Sequence, residues 1–178
     1  MIFRCISEND HKKLEIFLQQ LGAQMDVTAL KESRMYTTLS FSAFKNHPQC
    51  FKIVYKHAKK YNLDILNRQA LQDWVNTPTD EKFTALHFAT YHGNFELIQI
   101  MCDEMGANMF TKNVYGANVL HIAAQGDAPC PLYYFAKIKN MNINDVDNRG
   151  STPLHWACYS KSEYALSYLL AMGPNLEA

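Results

Sequence analysis

An excess of charge of either sign is absent from this chain. Its 17 Lys and Arg balance 17 Asp and Glu over 178 residues, so the formal net charge is zero. Nothing in that balance draws the chain to nucleic acid or to an anionic membrane, and neither is expected as a partner. A secretory leader pattern is also lacking: Met1-Ile2-Phe3 runs into Arg4 and then Ser7-Glu8-Asn9-Asp10 with no apolar stretch. Long hydrophobic runs are missing as well. Crossing a bilayer takes about 20 mostly apolar residues, whereas the most apolar segment, Tyr164 to Met172, is short and interrupted by Ser167. Cysteine pairing signatures do not occur. Cys5, Cys50, Cys102, Cys130 and Cys158 stand singly, are odd in number and form no Cys-x-x-Cys. A reducing, cytoplasmic setting fits this pattern, with the thiols expected to fill core positions as small hydrophobes.

What is present is apolar substance with a period. Apolar residues make up 48% and charged residues 19%, the composition of a folded chain. Three segments align: Thr84-Ala85-Leu86-His87-Phe88-Ala89, Asn118-Val119-Leu120-His121-Ile122-Ala123 and Thr152-Pro153-Leu154-His155-Trp156-Ala157. Their histidines are 34 positions apart both times. Gly116 and Gly150 precede the second and third segments by two residues. Gly106-Ala107-Asn108, Met141-Asn142-Ile143-Asn144 and Gly173-Pro174-Asn175 follow at similar distances. Pro153 suits a first helical turn, where its missing N–H has no intrahelical partner to lose. Leu86, Leu120 and Leu154 begin a short helix, and Ala89, Ala123 and Ala157 let it pack closely. A second helix follows in each unit, carrying Phe95, Leu97, Ile98 and Met101, then Leu132, Phe135 and Ile138, then Tyr164, Leu166, Leu169 and Leu170. Gly106 and Gly173 sit where a left-handed helix end is needed.

Weaker copies precede these. Thr37-Thr38-Leu39-Ser40-Phe41-Ser42-Ala43 matches the motif without its His. A helix is expected from Pro48 through Phe51, Val54, Tyr55 and Ala58. Ser7 to Asp10 can cap an earlier helix carrying Leu14, Phe17, Leu18 and Leu21 and closed by Gly22. Leu39 and Leu86 are 47 residues apart, so about 13 residues are inserted relative to the repeat; Leu63, Leu66, Leu71 and Trp74 suggest a helix there.

These motifs resemble the ankyrin family, whose repeat of about 33 residues starts with Thr-Pro-Leu-His-x-Ala. The expected fold is therefore an all-α ankyrin-repeat solenoid of about five helix-pair units with hairpin loops. The units divide as a degenerate repeat or cap over 1–36, a degenerate repeat with a helical insertion over 37–83, repeats over 84–117 and 118–151, and a shortened repeat over 152–178. The last unit ends where a loop to another would begin, which suggests a piece of a longer protein.

Seven histidines raise the question of a metal. His87, His121 and His155 occupy equivalent positions, about 8–10 Å apart in neighbouring helices, and zinc needs ligand atoms at about 2 Å. They cannot share an ion; no metal and no cofactor is expected. The resemblance instead implies that this His joins adjacent units, so Leu86, His87, Leu120, His121, Thr152, Pro153, Leu154 and His155 are structural. No His-Glu-x-x-His, Gly-x-Ser-x-Gly or phosphate-binding glycine loop occurs, and no catalytic residue is assigned. Lys45, Lys52, Lys56, Lys59 and Lys60 form a basic stretch that reads as a solvated helix face, with contact to nucleic acid or acidic lipid as the alternative.

In ankyrin-like stacks, hairpin tips and first helices line a concave groove. The matching positions here are Tyr115 and Arg149 at the tips, and Tyr91, His92, Gln125, Tyr159 and Ser160 at the ends of first helices. The expected function is a monomeric scaffold that holds a protein or peptide partner, without membrane contact of its own. Asn118 to Asp127, Tyr133-Tyr134-Phe135 and Asp147 to Tyr159 additionally resemble the cytosolic N-terminal region of ankyrin-containing protein S-acyltransferases, the palmitoyltransferases named for an Asp-His-His-Cys motif. That resemblance spans about residues 80–178. It implies a recruiting arm at the cytosolic face of a membrane, for an enzyme whose catalytic motif this chain does not contain.

Overall fold

The computed structural model describes residues 1–61 and 68–176, so Leu63 and Leu66 of the expected insertion lie outside the described residues. Among the described residues eleven α-helices form and no strand does. They follow one another as pairs. The first two pairs are α1 (Ile2–Ser7) with α2 (His11–Leu21), and α3 (Thr38–Phe44) with α4 (Pro48–Tyr61). After the single helix α5 (Arg68–Asn76) come α6 (Ala85–Tyr91) with α7 (Phe95–Gln99), α8 (Val119–Gln125) with α9 (Pro129–Tyr133), and α10 (Pro153–Ser160) with α11 (Glu163–Ala171).

Four of the five first helices, α3, α6, α8 and α10, are started by a capping box. Thr84, Asn118 and Thr152 are N-caps, and three residues on, His87, His121 and His155 return a side-chain acceptor to the N-cap backbone. The Nδ1 atoms accept the N–H of Thr84 at 3.1 Å, of Asn118 at 3.3 Å and of Thr152 at 3.1 Å. Imidazole thus fills the place usually taken by Glu or Gln in a capping box. In α3 the missing His is replaced in this one task by Ser40: its Oγ accepts the Thr37 N–H at 2.8 Å, and Thr37 Oγ1 accepts the Ser40 N–H at 3.1 Å. Serine preserves the cap but is too short to reach the next unit.

The turn from first to second helix is also built the same way five times. Asn9, Asn46, Gly93, Asp127 and Lys161 take positive φ between 51° and 65°. The residue after each donates its N–H back five positions, to Cys5, Ser42, Ala89, Ala123 and Ala157, at 2.9–3.0 Å. This is the Schellman arrangement, which satisfies carbonyls that a helix end would otherwise leave free. It recovers five equivalent turns where the sequence shows three clear motifs.

Packing runs between neighbours. First helices form one layer, in which α1 packs on α3, α3 on α6, α6 on α8 and α8 on α10. Second helices form the other, with α2 on α4 and with α7, α9 and α11 in a row. Leu14, Leu18, Leu39, Phe51, Val54, Leu86, Leu97, Ile98, Met101, Leu120, Leu132, Phe135 and Leu169 fill the space between the layers and are fully buried. Gly126 marks the closest approach: a Cβ there would strike the Tyr91 backbone carbonyl. The inserted α5 lies on α6, and Asn76 ties it to the following unit by donating to the Gly106 carbonyl at 3.2 Å and accepting the Asn108 N–H at 2.7 Å.

Some side chains depart from the expected core stripe. Ile138 is 55% exposed. α7 and α9 continue as wider π turns, Ile100–Glu104 and Tyr134–Ile138, and the smaller rotation per residue of an i→i+5 turn leaves Ile138 short of the core face. Tyr164 and Leu170 are exposed and Leu154 and Leu166 only partly buried, because no described element packs on the outer side of the last pair. The thiols divide too: Cys5 and Cys50 are core residues and Cys102 is half-buried, but Cys130 and Cys158 are exposed. No helix among the described residues is long and apolar enough to cross a membrane, and no cluster of His, Cys, Asp or Glu there could hold a metal ion.

Candidate functional site

The hairpin loops between units form a backbone-linked edge. Asp80 N–H donates to the Arg34 carbonyl at 3.2 Å, Val114 N–H to Glu81 at 3.1 Å, and Asn148 N–H to Tyr115 at 3.0 Å. Each of the last three tips is tightened from within by the side chain at its base. Thr79 Oγ1 accepts the Phe83 N–H. Asn113 Oδ1 accepts from Tyr115 and Ala117, and Asp147 Oδ1 from Arg149 and Ser151, the latter two at 2.8 Å. Positive φ at Gly116 and Gly150, 80° and 79°, lets the tips turn this sharply.

Asp147 does more than close its own loop. Its Oδ2 accepts the indole N–H of Trp156 at 2.9 Å, and that ring stands edge-on to His121 with centroids 5.7 Å apart. His121 Nε2 in turn donates to the Ser151 carbonyl at 3.0 Å. Partial burial acts against ionisation of Asp147, but the three N–H donors and the neighbouring His121 outweigh it and hold the carboxyl below its ordinary value. Burial pushes the His121 pKa down, since the imidazolium would lose its water, although the Ser151 carbonyl partly opposes the shift. Trp156 is therefore fixed in orientation by a loop, a carboxylate and the preceding unit's histidine together.

Around that indole lies a cleft of about 880 Å³, within the usual range of ligand clefts, about 300–1,000 Å³. Tyr115, Arg149, Gln125, Tyr159 and Ser160 of the expected groove all line it, with Val114, Asn148, His155 and Trp156. Among the described residues Tyr159 is 92% exposed and Tyr115 51%, which leaves large aromatic surface open to solvent. Such residues, with Arg, are enriched where binding energy concentrates. Trp156 and Asp147 were not singled out from sequence. The signal for Trp156 was available in the variable position of the Leu-His-x-Ala motif; that for Asp147 was not, since its role depends on a loop closing over it.

Tyr91 and His92 lie elsewhere. His92 Nε2 donates to the Phe44 carbonyl at 3.0 Å, so it ties α6 to the end of α3. Tyr91 is 44% exposed and stands edge-on to His92. On this side of the stack the groove is filled by its own aromatics. Tyr36, Phe41, Phe44 and Phe88 lie with ring centroids 5.2–6.4 Å apart, and the Lys45 ammonium lies over Phe41 and Phe44 at 5.5 Å.

The structural histidines behave unequally. His121 donates to the Ser151 carbonyl in the loop that leads into the last helix pair. His87 is wholly buried and its Nε2 faces the Thr111 carbonyl without closing a well-aligned hydrogen bond; burial lowers its pKa to about 4. His155 is exposed and opens into the cleft. Two of the five lysines in the basic stretch pair with acids of the next unit, Lys52 with Glu96 at 2.6 Å and Lys59 with Glu104 at 3.5 Å, while Lys60 lies over the Tyr61 ring of its own helix.

Comparison with known proteins agrees with this architecture. A family model described as ankyrin repeats matches three times, over residues 2–113, 58–133 and 105–178. The chain belongs to the ankyrin-repeat family. Its relatives include an ankyrin repeat protein of Rickettsia bellii, 33% identical over 122 residues, which are 66% of each chain. Ankyrin repeat domain-containing protein 53 of Macaca fascicularis is 30% identical over 68% of this chain and 24% of its own length. The target of rapamycin complex 2 subunit AVO2 of Saccharomyces cerevisiae is 25% identical over 70% of this chain and 28% of its own. The ankyrin stack thus spans about a quarter of the macaque and yeast proteins, and about two thirds of the rickettsial one. Ankyrin repeats are in general protein-interaction modules without catalytic function.

Proposed function

We propose that this ankyrin stack is a scaffold that holds a protein or peptide partner in the cleft along the last three units, and that Tyr115, Gln125, Arg149, Tyr159 and Ser160 contact that partner. One observation carries the reading: two exposed tyrosines and an arginine surround an indole whose orientation is fixed by Asp147 and His121. A surface ordered in advance loses less freedom on binding. Tyr91 and His92 would add contacts only for a partner that reaches past the cleft toward the aromatic-filled side. The units would divide at 1–36, 37–83, 84–117, 118–151 and 152–178, and the scaffold would act as a cytoplasmic monomer with no cofactor.

The test compares proteins retained by immobilised wild-type chain, by Tyr115→Ala/Tyr159→Ala, and by Tyr133→Ala/Tyr164→Ala on exposed second-helix positions. Partners lost only with the first pair support the cleft. Partners that ignore the first pair and depend on the second would end the proposal. A second reading, in which the stack recruits substrates for a membrane S-acyltransferase, is favoured by the segments Asn118 to Asp127 and Asp147 to Tyr159. Coding sequence beyond Ala178 bearing membrane spans and Asp-His-His-Cys would support it; further repeats followed by a stop would exclude it.

A further inference from the structure

The cleft carries one charge of each sign, and of the two only the cation lacks a partner among the described residues. Asp147 is the one carboxylate lining it, and that group already receives the N–H groups of Arg149, Ser151 and Trp156. Arg149 is exposed, and no carboxylate among the described residues pairs with its guanidinium. His155 Nδ1 accepts the Thr152 N–H, so the neutral ring carries its proton on Nε2. That donor has no partner among the described residues, and its ring lines the cleft. The Ser151 carbonyl is engaged by His121, and the Lys112 ammonium is held on the adjoining loop by the Val146 carbonyl at 3.1 Å.

We propose that the cleft takes an acidic segment of its partner, an extended peptide whose Asp or Glu carboxylate pairs with Arg149 and accepts from His155. Flanking residues of the peptide lie on Tyr115, Trp156 and Tyr159. This rests on the reading of the cleft as a partner site and deepens it by naming the chemistry. Charge complementarity selects the occupant. A guanidinium binds a carboxylate through two parallel donors. A basic peptide would bring its cation to Arg149 with the lining carboxylate already engaged. A neutral one would cover the guanidinium and leave it unpaired, which is costly.

The test is selection of phage-displayed random peptides on the full chain, followed by affinity measurement with tryptophan fluorescence as the reporter. Acid-rich peptides are expected. Arg149→Gln should weaken them by about tenfold or more, and raising salt from about 50 to about 300 mM should weaken them further. Arg149 lends the fold only its backbone N–H, so the variant stays folded. Peptides that need Tyr115 and Tyr159 yet show no acidic enrichment, or bind Arg149→Gln unchanged, overturn the acidic assignment and leave the cleft reading standing. Recovery only of peptides indifferent to Tyr115→Ala/Tyr159→Ala, or of no peptides, defeats the cleft reading itself. Displacement of the peptides by a short oligothymidylate at lower concentration would assign the cleft to a phosphate backbone instead and overturn the proposal.

Discussion

Replacing His87 by Gln should remove a specific part of the acid sensitivity of the fold. His87 Nδ1 accepts the Thr84 N–H at 3.1 Å and lies 3.0 Å from the Thr84 hydroxyl, inside a site with no solvent exposure. Burial away from water lowers the pKa to about 4 from 6.5, with the Thr111 carbonyl opposing the shift; a second ring proton would have to enter at Nδ1, which already accepts the Thr84 N–H. In the unfolded chain the ring titrates at its ordinary value. The unfolded state therefore binds the proton more readily, and stability is full above about pH 6.5 and is lost as pH falls toward about 4. Between pH 7 and pH 5 the loss from this one group is about 2 kcal/mol. Gln is the residue that ordinarily closes a capping box and does not titrate, so His87→Gln keeps the cap and removes the switch. Urea denaturation at both pH values, followed by far-ultraviolet circular dichroism, gives the double difference. The wild-type midpoint should fall by about 1 M urea more than the variant's, for a slope of about 2 kcal/mol per M. His57 and His121, also lowered by burial, act equally in both proteins and cancel. Equal losses in the two proteins would refute the assignment of a neutral, Nδ1-accepting His87.

Glycine substitutions should separate crowding from backbone strain. Gly126→Ala drives a methyl into the Tyr91 backbone and should cost about 3 kcal/mol or more in denaturation, whereas Gly150→Ala meets no atom within 4 Å and should cost only the left-handed penalty at φ 79°, about 1–2 kcal/mol. Asp147→Asn puts an amide where Trp156 needs an acceptor; a red shift of the Trp156 emission and a loss of about 1–2 kcal/mol are expected, and an unchanged spectrum would argue against that hydrogen bond. Iodoacetamide on the native chain should label Cys130 and Cys158 first, read by peptide mass mapping. Cys50, buried and pushed up to about 11, should be labelled at the rate of unfolding.

The parts of this fold that sequence discloses are those in which one residue type performs one local task. Leu-His spaced by 34, Pro153 at a first turn and Gly106 and Gly173 at left-handed ends each state a backbone requirement, and each lies where it was expected. The α–α turns were harder to see because Asn9, Asn46, Asp127 and Lys161 meet the same positive φ that Gly93 meets, and only glycine announces it. The unit at Thr37 was legible as a copy but not as a working cap, since Ser40 substitutes for His in one of two roles. Exposure of Cys130 and Cys158 depends on which helix face meets the neighbour, which no run of a few residues encodes. The cleft was half legible: repeat register placed Tyr115, Gln125, Arg149, Tyr159 and Ser160 on one surface, but the aromatic filling that sets Tyr91 apart comes from Tyr36, Phe41 and Phe44 of the two preceding units.

Because α1, α3, α6, α8 and α10 each rest on the next in chain order, residues that touch are rarely separated by much more than one repeat of chain. Lengthening such a stack raises its mass without lengthening the search that any one contact requires. Folding speed in single domains falls as that mean separation grows. A version with added units should accordingly assemble about as promptly as this one, and growth could start from whichever interior pair orders first.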